Sequence, residues 1–375
     1  MSGPRIALLV THLMGSGHLV RTLTLARALA AQGADPLVIS GGRPLAHVET
    51  GGVRFAQLPP LGSDGLDYRT LLDGDGAPAS DSYRDARRAR LVAILREEAP
   101  AALVTELYPL GRRNLEAEFR AAIAALPPGA RLIGSVRDVM EPPGKRKRVE
   151  QGLARLAPYD ALLVHGDPDV IPLQASWPGD GSDPTELSSR LRYAGYAVTP
   201  APAPSAGPGE GEVLVATGGG AIGRRLLEVA ARASGFSDLR WRLRVGGADA
   251  AGAIPALQAL GPAAVEAAAP DFRARLSRAA AAVTLCGYNT AVETALSGTP
   301  TLLVPMEEGG EREQLIRAEA FARFPEIDTA RIGDLTPEVL AARVAALAAR
   351  PRRTAAIRAD GGAEAARIVL ELAGA

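Results

Sequence analysis

Along the first half of the chain, short β-branched or aliphatic runs alternate with stretches of helical spacing. Residues 5–11 are almost continuously apolar, which predicts a strand buried on both faces. Residues 18–31 follow with apolar positions at Leu19, Leu23, Ala26, Leu29 and Ala30, the three-and-four spacing of an amphipathic helix. Residues 36–40 and 53–58 read as further strands, and 101–105, 131–136 and 161–165 supply three more, with helix-length segments between. That rhythm predicts a mostly parallel sheet covered by helices on both sides. Residues 59–80, rich in Gly, Asp and Pro, interrupt it and are expected to form a surface excursion.

The scheme restarts in the second half, with strands at 212–216, 240–245, 281–285 and 301–304 and closing helices at 336–350 and 354–373. Between the halves, residues 197–211 hold four prolines and three glycines, too many for a helix or a central strand. A chain of 375 residues also exceeds the roughly 250–300 that one core sustains. The expectation is therefore an α/β protein of two doubly wound domains, 1–196 and 212–375, joined by a linker at 197–211. Such domains bind ligands beyond the carboxyl ends of their strands, so functional residues should sit on strand-to-helix loops facing a cleft.

Charge and cysteine content narrow the function classes. With 42 basic and 42 acidic residues, no net charge draws the chain toward nucleic acid or an anionic membrane. Cys286 is the single cysteine, which rules out an internal disulfide and fits a reducing compartment. One thiol and four histidines do not make a Cys/His zinc site of the usual kind. The apolar start at 6–10 is too short for a signal-peptide core, and no run of 18 apolar residues occurs, so the cytoplasm is the expected location.

Three loops carry candidate chemistry. The first is His12-Leu-Met-Gly15-Ser-Gly17-His18, where Gly15 and Gly17 let a ligand approach the backbone and the helix start offers free N–H groups. It lacks the third glycine and the ribose-binding acid of a dinucleotide fingerprint. His18, ionising near neutrality, suits a general base; equally, it could cap the helix or pack on the sheet. The second loop, Thr217-Gly218-Gly219-Gly220-Ala-Ile-Gly223, describes a phosphate-facing turn without the ending of a Walker loop. The third runs Cys286-Gly287-Tyr288-Asn289-Thr290 through Glu293 to Pro300, then a strand, then Glu313-Gln314. Free N–H groups near Gly287, Asn289 and Thr290 suit a diphosphate, and Glu293, one turn in, can accept from both hydroxyls of a ribose. Glu313 and Gln314 can read sugar hydroxyls. A plain structural alternative makes Thr290 a cap and Glu293 a partner of the helix dipole.

The first and third of these loops, with Thr105-Glu106-Leu-Tyr-Pro-Leu-Gly-Arg112-Arg113, Ser135-Val-Arg-Asp138, Leu163-Val-His165-Gly-Asp167, Tyr193-Ala-Gly-Tyr196 and Arg312-Glu313-Gln314-Leu-Ile-Arg317-Ala318, resemble a known family. The chain looks like a GT-B glycosyltransferase related to the peptidoglycan N-acetylglucosaminyl transferases (glycosyltransferase family 28), and more closely like a bacterial group of predicted glycosyltransferases. The resemblance covers nearly the whole chain. It implies two Rossmann-like domains facing across a cleft, with a nucleotide-sugar donor, UDP-linked, in the second and the acceptor in the first. It further implies that Glu293 grips the ribose, Thr290 the diphosphate region and Gln314 the transferred sugar. His18 aligns with the histidine that acts as base in some relatives. Tyr288-Asn289 stand where the family has smaller residues, and Arg317 where it has an Asn, which leaves the base and the sugar open.

On this reading the reaction is a single inverting displacement needing no metal or other cofactor. His18, oriented by Glu106 or Asp138, deprotonates the acceptor while helix N-termini and an arginine stabilise the departing nucleotide. Arg112 and Arg113 are acceptor-binding candidates, because a guanidinium fork suits carboxylate or phosphate. Lys145-Arg-Lys-Arg148 reads as a solvated helix face, or as a patch for an anionic acceptor or lipid head group and hence for peripheral membrane contact. Asp73/Asp75 and Asp167/Asp169 match a metal-holding pattern of another glycosyltransferase fold, but lie in the excursion and at a helix start and are not taken as metal sites. The acceptor, small or lipid-linked, and the oligomeric state stay open. Two rivals keep the fold: an epimerase or hydrolase of the nucleotide sugar, and a non-catalytic nucleotide-sugar-binding regulatory subunit.

Overall fold

The computed structural model describes residues 3–13, 15–45, 48–63, 70–198, 206–217, 223–247, 250–307 and 310–374. They belong to two compact units, Met1–Val198 with Arg358–Ala375, and Thr199–Ile357.

The first unit is built on β1 (Arg5–Val10), β2 (Asp35–Gly42), β3 (Arg54–Leu61), β4 (Ala102–Glu106), β5 (Arg131–Arg137), β6 (Ala161–His165) and β7 (Leu191–Tyr193). All pair in parallel, in the order β3-β2-β1-β4-β5-β6-β7. Helices α1 (Gly17–Ala31), α2 (Asp81–Glu98), α3 (Glu116–Ala124), α4 (Arg146–Leu156) and α5 (Thr185–Ser188) make the crossovers. The unbroken apolar run of β1 has a simple cause. Ala7 and Leu9 face a core shared with Leu91, Phe119 and Leu156 of α2, α3 and α4, whereas Ile6, Leu8 and Val10 face another shared with Leu19, Leu23 and Leu29 of α1. A strand covered on both faces has no position left for a polar residue. A buried ion pair that no periodicity signals ties α2 to α3. Arg87 donates from Nε to Glu118 Oε2 at 2.6 Å and from Nη2 to Oε1 at 3.0 Å, and its other N–H groups reach Gly41 O, Pro59 O and Thr11 Oγ1.

Residues 59–80 depart from the expected surface excursion. β3 runs on to Leu61, bridges join Gly62 to Leu72 and Leu72 to Pro78, and Leu61 and Leu71 are buried in the core beside Leu58. Two leucines within a Gly/Asp/Pro-rich stretch suffice to pin it down; residues 64–69 lie outside the described residues.

The second unit holds β8 (Glu212–Ala216), β9 (Arg240–Val245), β10 (Ala264–Ala267), β11 (Ala281–Leu285), β12 (Thr301–Val304) and β13 (Ile327–Thr329), parallel in the order β10-β9-β8-β11-β12-β13. Its helices are α6 (Arg224–Ala233), α7 (Ala250–Gln258), α8 (Phe272–Leu276), α9 (Tyr288–Ser297), α10 (Glu313–Phe321) and α11 (Pro337–Ala348). Val213, Val215, Leu243, Val283 and Leu302 pack under Leu226, Leu257 and Val344 of α6, α7 and α11, while Leu214 and Ala282 face Leu276 of α8.

The last helix corrects the predicted domain boundary. α12 (Gly361–Ala373) packs against α1, with Ala365, Ala366 and Val369 in the α1-side core, and Gln32 Nε2 donates to Ala363 O at 2.8 Å. Residues 358–375 thus complete the first unit and not the second. The helix also begins at Gly361, later than the predicted 354, because the preceding residues run as a strap. Ala355 N donates to Ala295 O at 2.9 Å, and three residues on, Arg358 N donates to Asp167 Oδ2 at 3.0 Å and Arg358 O accepts from Tyr196 N at 2.7 Å. An amphipathic pattern reports an apolar face but not which core receives it. Truncation after Ile357 should therefore strip amide hydrogen-exchange protection from α1 and β1 and leave β8, β11 and β12 protected. Protection lost equally in both units would contradict this assignment.

Candidate active site

In the first unit β1 and β4 are neighbours whose following helices lie on opposite faces, the switch point at which open α/β sheets bind ligands. The loop after β1 carries Gly15 at φ +60°, a conformation that favours glycine, and a Cβ on Gly15 or Gly17 would meet nothing within 4 Å. Neither a side-chain cap nor crowding closes the start of α1.

His18 lies in that first turn with 14% of its side chain exposed, and its Nδ1 is 2.9 Å from Oε1 of Glu106, the last residue of β4. Arg21, one turn further, donates from Nη2 to the same oxygen. Ser135 of β5 donates from Oγ to Glu106 Oε2 at 2.8 Å and lies 3.0 Å from Nε2 of His165, the last residue of β6. Proton positions are assigned from donor and acceptor capacity. An ionised Glu106 can only accept, so His18 Nδ1 carries the proton and Nε2 the lone pair. Arg21 Nη2 is also 3.0 Å from His18 Nδ1 and directs its proton to the carboxylate. Ser135 gives its one proton to Glu106, so His165 donates from Nε2, and its Nδ1 has no partner.

Electrostatics agree with that assignment. Burial pushes His18 down to about 3 and outweighs the Glu106 hydrogen bond that would raise it. Burial alone would lift Glu106, but the Arg21 guanidinium and then the His18 bond hold it well below the usual carboxylate range. His165 is also pushed down to about 3, by burial and then by Arg21. The site is thus an ionised carboxylate flanked by two neutral imidazoles. Asp138, the other carboxylate considered, is fully buried and accepts from Val139 N at 2.8 Å, with no bond to His18. Glu106, not Asp138, orients the histidine. Arg21, Ser135 and His165 were assigned no site role from sequence; the available signals were an arginine one turn after His18 in α1 and polar residues in the carboxyl-terminal halves of β5 and β6.

In the second unit β8 and β11 hold the corresponding switch point. The expected phosphate loop, Gly218, Gly219 and Gly220, lies outside the described residues. The loop after β11 is described. Gly287 caps α9 without a side-chain bond, Thr290 does not cap it, and no hydrogen bond takes up the N–H groups of Asn289 and Thr290 among the described residues. Glu293 shares a helix face with both, at three- and four-residue spacing. Its side chain is 21% exposed, and its partner is Arg273, whose Nε lies 4.0 Å away. Burial pushes this carboxyl up to about 7, and Arg273 offsets only part of the rise.

Gln314 and Glu313 hold the loop from beneath. Gln314 Oε1 accepts from Cys286 N at 3.0 Å and Met306 N at 3.1 Å, which ties the loops after β11 and β12 together and leaves the NH₂ as the part able to meet a ligand. Glu313 Oε1 accepts from Arg317 Nη2 at 2.9 Å. Fully buried Arg317 donates in turn to Cys286 O at 3.0 Å and lies 5.9 Å from the Tyr288 ring centroid. The sequence marked Arg317 only as a departure from the family; a Glu four residues ahead of an Arg was the signal of its role. Cys286 is itself buried.

A pocket of about 820 Å³ opens in the first unit beyond β4 and β5, and both predicted acceptor residues, Arg112 and Arg113, line it. Leu107 (φ +64°) and Arg112 (φ +52°) take left-handed conformations rare for residues with side chains. The loop between them is fastened by Leu107 N to Ser135 O at 2.7 Å, Thr105 Oγ1 to Tyr108 O at 2.8 Å and Arg155 Nε to Pro109 O at 3.1 Å. Of the basic run, Arg146 pairs with Glu150 in solvent while Arg148 lines the pocket. Both Asp-x-Asp patterns serve the backbone. Asp73 Oδ1 accepts from Asp75 N and Ala77 N at 3.0 Å, and Asp167 accepts from Asp169 N at 3.1 Å and Arg358 N at 3.0 Å. Among the described residues no group of three or more His, Cys, Asp or Glu is placed to hold a metal, and no helix is long and apolar enough to cross a membrane.

No family model matches the chain. A 112-residue stretch is 32% identical to UDP-N-acetylglucosamine–N-acetylmuramyl-(pentapeptide) pyrophosphoryl-undecaprenol N-acetylglucosamine transferase of Rhodopseudomonas palustris (strain BisA53), covering 28% of this chain and 30% of that relative. The match thus spans under a third of the curated relative's length. Solved structures match over nearly the whole chain. Acinetobacter baumannii MurG is 13% identical with a TM-score of 0.62, covering 98% of this chain and 99% of its own. LpCGTa in complex with UDP is 18% identical with a TM-score of 0.59 (99% and 94% covered). VinC in complex with dTDP is 18% identical with a TM-score of 0.56 (99% and 95% covered). The likeness is one of fold: both units have the Rossmann-like architecture of GT-B glycosyltransferases.

Proposed function

We propose that this chain transfers a sugar from a nucleotide-diphosphate sugar, UDP-linked, to an acceptor hydroxyl, with inversion and without a metal. The observation that carries the reading is Glu293. A mostly buried carboxylate whose partner is an arginine 4.0 Å away is costly to keep, and it stands one turn behind helix N–H groups that no side chain caps. A diphosphate on those N–H groups and a ribose on the carboxylate would satisfy both.

In the first unit His18 is the proposed base. Its Nε2 lone pair is available at any working pH, since the ring stays neutral down to about 3. So low a proton affinity cannot ionise a free alcohol. It suffices once the acceptor oxygen bonds the anomeric carbon, because the hydroxyl then becomes a strongly acidic oxonium. Proton transfer is therefore late and coupled to C–O formation, and the Glu106 carboxylate compensates the imidazolium as it forms. Arg21 and the Ser135–His165 pair keep Glu106 ionised and aimed at Nδ1. Glu313 and Arg317 hold the donor loop, and the Gln314 amide NH₂ is the group offered to the transferred sugar. No cation is assigned to the leaving diphosphate, and the cytoplasm remains the proposed location.

The test is a thermal-shift screen of the full chain against nucleotide diphosphates and their sugars, followed by product analysis. A donor at 100 times its Kd should stabilise by about 2.7 kcal/mol. Turnover that requires an added acceptor supports transfer. Free nucleotide released at the same rate without acceptor would make the chain a hydrolase, and an isomerised donor would make it an epimerase. Tight donor binding without turnover on any acceptor pool would make it a binding subunit.

A further inference from the structure

The pocket beyond β4 and β5 is lined by four arginines, Arg112, Arg113, Arg148 and Arg155, and by one carboxylate, Glu141. Arg113 makes no hydrogen bond or ion pair among the described residues; its electrostatic neighbours are Arg148 and Arg155, and these, after burial, push its guanidinium down. Arg148 makes one bond, from Nη1 to Pro143 O at 3.2 Å. Arg155 keeps 7% of its side chain exposed and reaches Glu116 at 3.5 Å, a carboxylate shared with Arg120. Arg112 joins the lining, against the single carboxylate of Glu141.

α4 builds this rim: positions 148 and 155 are two turns apart on one face. Gly152 lies between them with Trp177 laid against it, so that a Cβ there would come within 2.4 Å of Trp177 Cζ2. Trp177 (2% exposed), Leu110 and Met140 (6% each) make an apolar floor under a cationic edge. A bare inorganic anion would leave the floor unused, and an uncharged apolar ligand would leave three neighbouring guanidinium groups repelling one another.

We infer that this pocket binds an amphiphilic small molecule, an oxyanion head (carboxylate or phosphate) on an apolar body, and that this molecule is the acceptor. The second clause rests on the transfer proposed above; the first does not.

The test uses the full chain, titrated with 4-phenylbutyrate, 4-phenylbutyl phosphate, neutral 4-phenylbutanol and inorganic phosphate. Binding is followed by calorimetry and by tryptophan emission, since Trp177 lines the pocket and Trp241 sits in the second unit's core. Both amphiphilic anions should bind roughly ten- to a hundredfold more tightly than the alcohol, the ratio expected for one charge-assisted hydrogen-bond set. They should also bind more tightly than inorganic phosphate. The preferred head identifies the acceptor as a carboxylate or a phosphate ester. Arg113→Gln with Arg148→Gln should abolish the preference over the alcohol while the thermal shift caused by UDP is unchanged. Gly152→Ala, by displacing Trp177, should weaken the anions and the alcohol alike. Equal binding of anion and alcohol, or binding of no probe, overturns the inference. Selective anion binding with no sugar transferred to any such molecule leaves the pocket standing and removes its acceptor role. Efficient transfer to a neutral acceptor, unaffected by the arginine changes, removes the inference and leaves the transferase.

Discussion

His18→Ala is expected to lower kcat at saturating donor by about 10²–10⁴, the usual contribution of a positioned base, with donor affinity changed by less than about twofold. Donor binding is spared because the proposed donor residues all belong to the second unit. The wild-type profile gives a second handle. A group held at about 3 loses its base form only as pH falls through that value. Saturating kcat should therefore stay level from about pH 8 down to about pH 5, instead of bending at the ordinary histidine value of about 6.5. Removing Glu106 is a poorer test, since it would strand the Arg21 guanidinium in the interior, at a stability cost of about 3–5 kcal/mol. If His18→Ala turns over within twofold of the wild type, the imidazole is structural, and the base must be sought among the other polar groups beyond β4 and β5.

Glu293→Gln should weaken the donor roughly ten- to a hundredfold, from the strength of hydrogen bonds to a charged acceptor. It should also abolish a pH dependence present in the wild type. With the carboxyl at about 7 in the empty protein, the ionised fraction falls through neutrality. Affinity for a nucleotide sugar, whose esterified phosphates do not titrate in this range, should drop about tenfold between pH 8 and pH 6. The sign on stability runs the other way. A carboxyl raised in the fold binds more protons folded than unfolded, so its ionisation destabilises the empty protein as pH rises from about 4.5 to about 7. A shift of that size corresponds to roughly 3 kcal/mol, fully felt above pH 7 and absent below the unfolded value. The glutamine variant should thus melt higher than wild type at pH 8 and alike at pH 4, both without ligand. A variant that binds donor normally but melts lower at pH 8 would make Glu293 structural.

The parts of the fold that the sequence displayed are those where one physical signal dominates. The strands at 212–216, 281–285 and 301–304 coincide with β8, β11 and β12 because apolar runs mark sheet interiors, and 240–245 coincides with β9 because Trp241, Leu243 and Val245 alternate with arginines at the period of a strand. The strands missed, β7, β10 and β13, are edge strands of three or four residues that carry Arg192, Glu266 and Asp328. An edge covered on fewer sides can afford polar side chains, so no apolar run announces it. The site divides the same way. His18 and Glu293 stand on loops that glycine and helix starts advertise. Arg21, Ser135, His165 and Arg317 earn their places through contacts across strands, as Ser135 does by bonding residues 29 and 30 positions away. For Arg21, Ser135 and His165, spacing along the chain carries no trace of these cross-strand partners; for Arg317 it shows only the Glu four residues ahead. The same holds for α12, whose amphipathic face is plain but whose partner α1 lies at the other end of the sequence.

That last pairing bears on how the molecule comes into being. The second unit is continuous in sequence, whereas the first is interrupted by it, and the bond from Gln32 to Ala363 joins residues 331 positions apart. During synthesis the seven-stranded sheet is complete long before the helix that covers its α1 face leaves the ribosome. Until then the apolar surface awaiting Ala365, Ala366 and Val369 stays open to solvent and to other chains. The unit translated second can therefore finish folding first, and closure of the unit translated first becomes the final, long-range and slowest event. Losses after residue 357 would be felt in α1 and β1: a chain released before Gly361 would keep its second unit intact and leave the first unsealed and aggregation-prone.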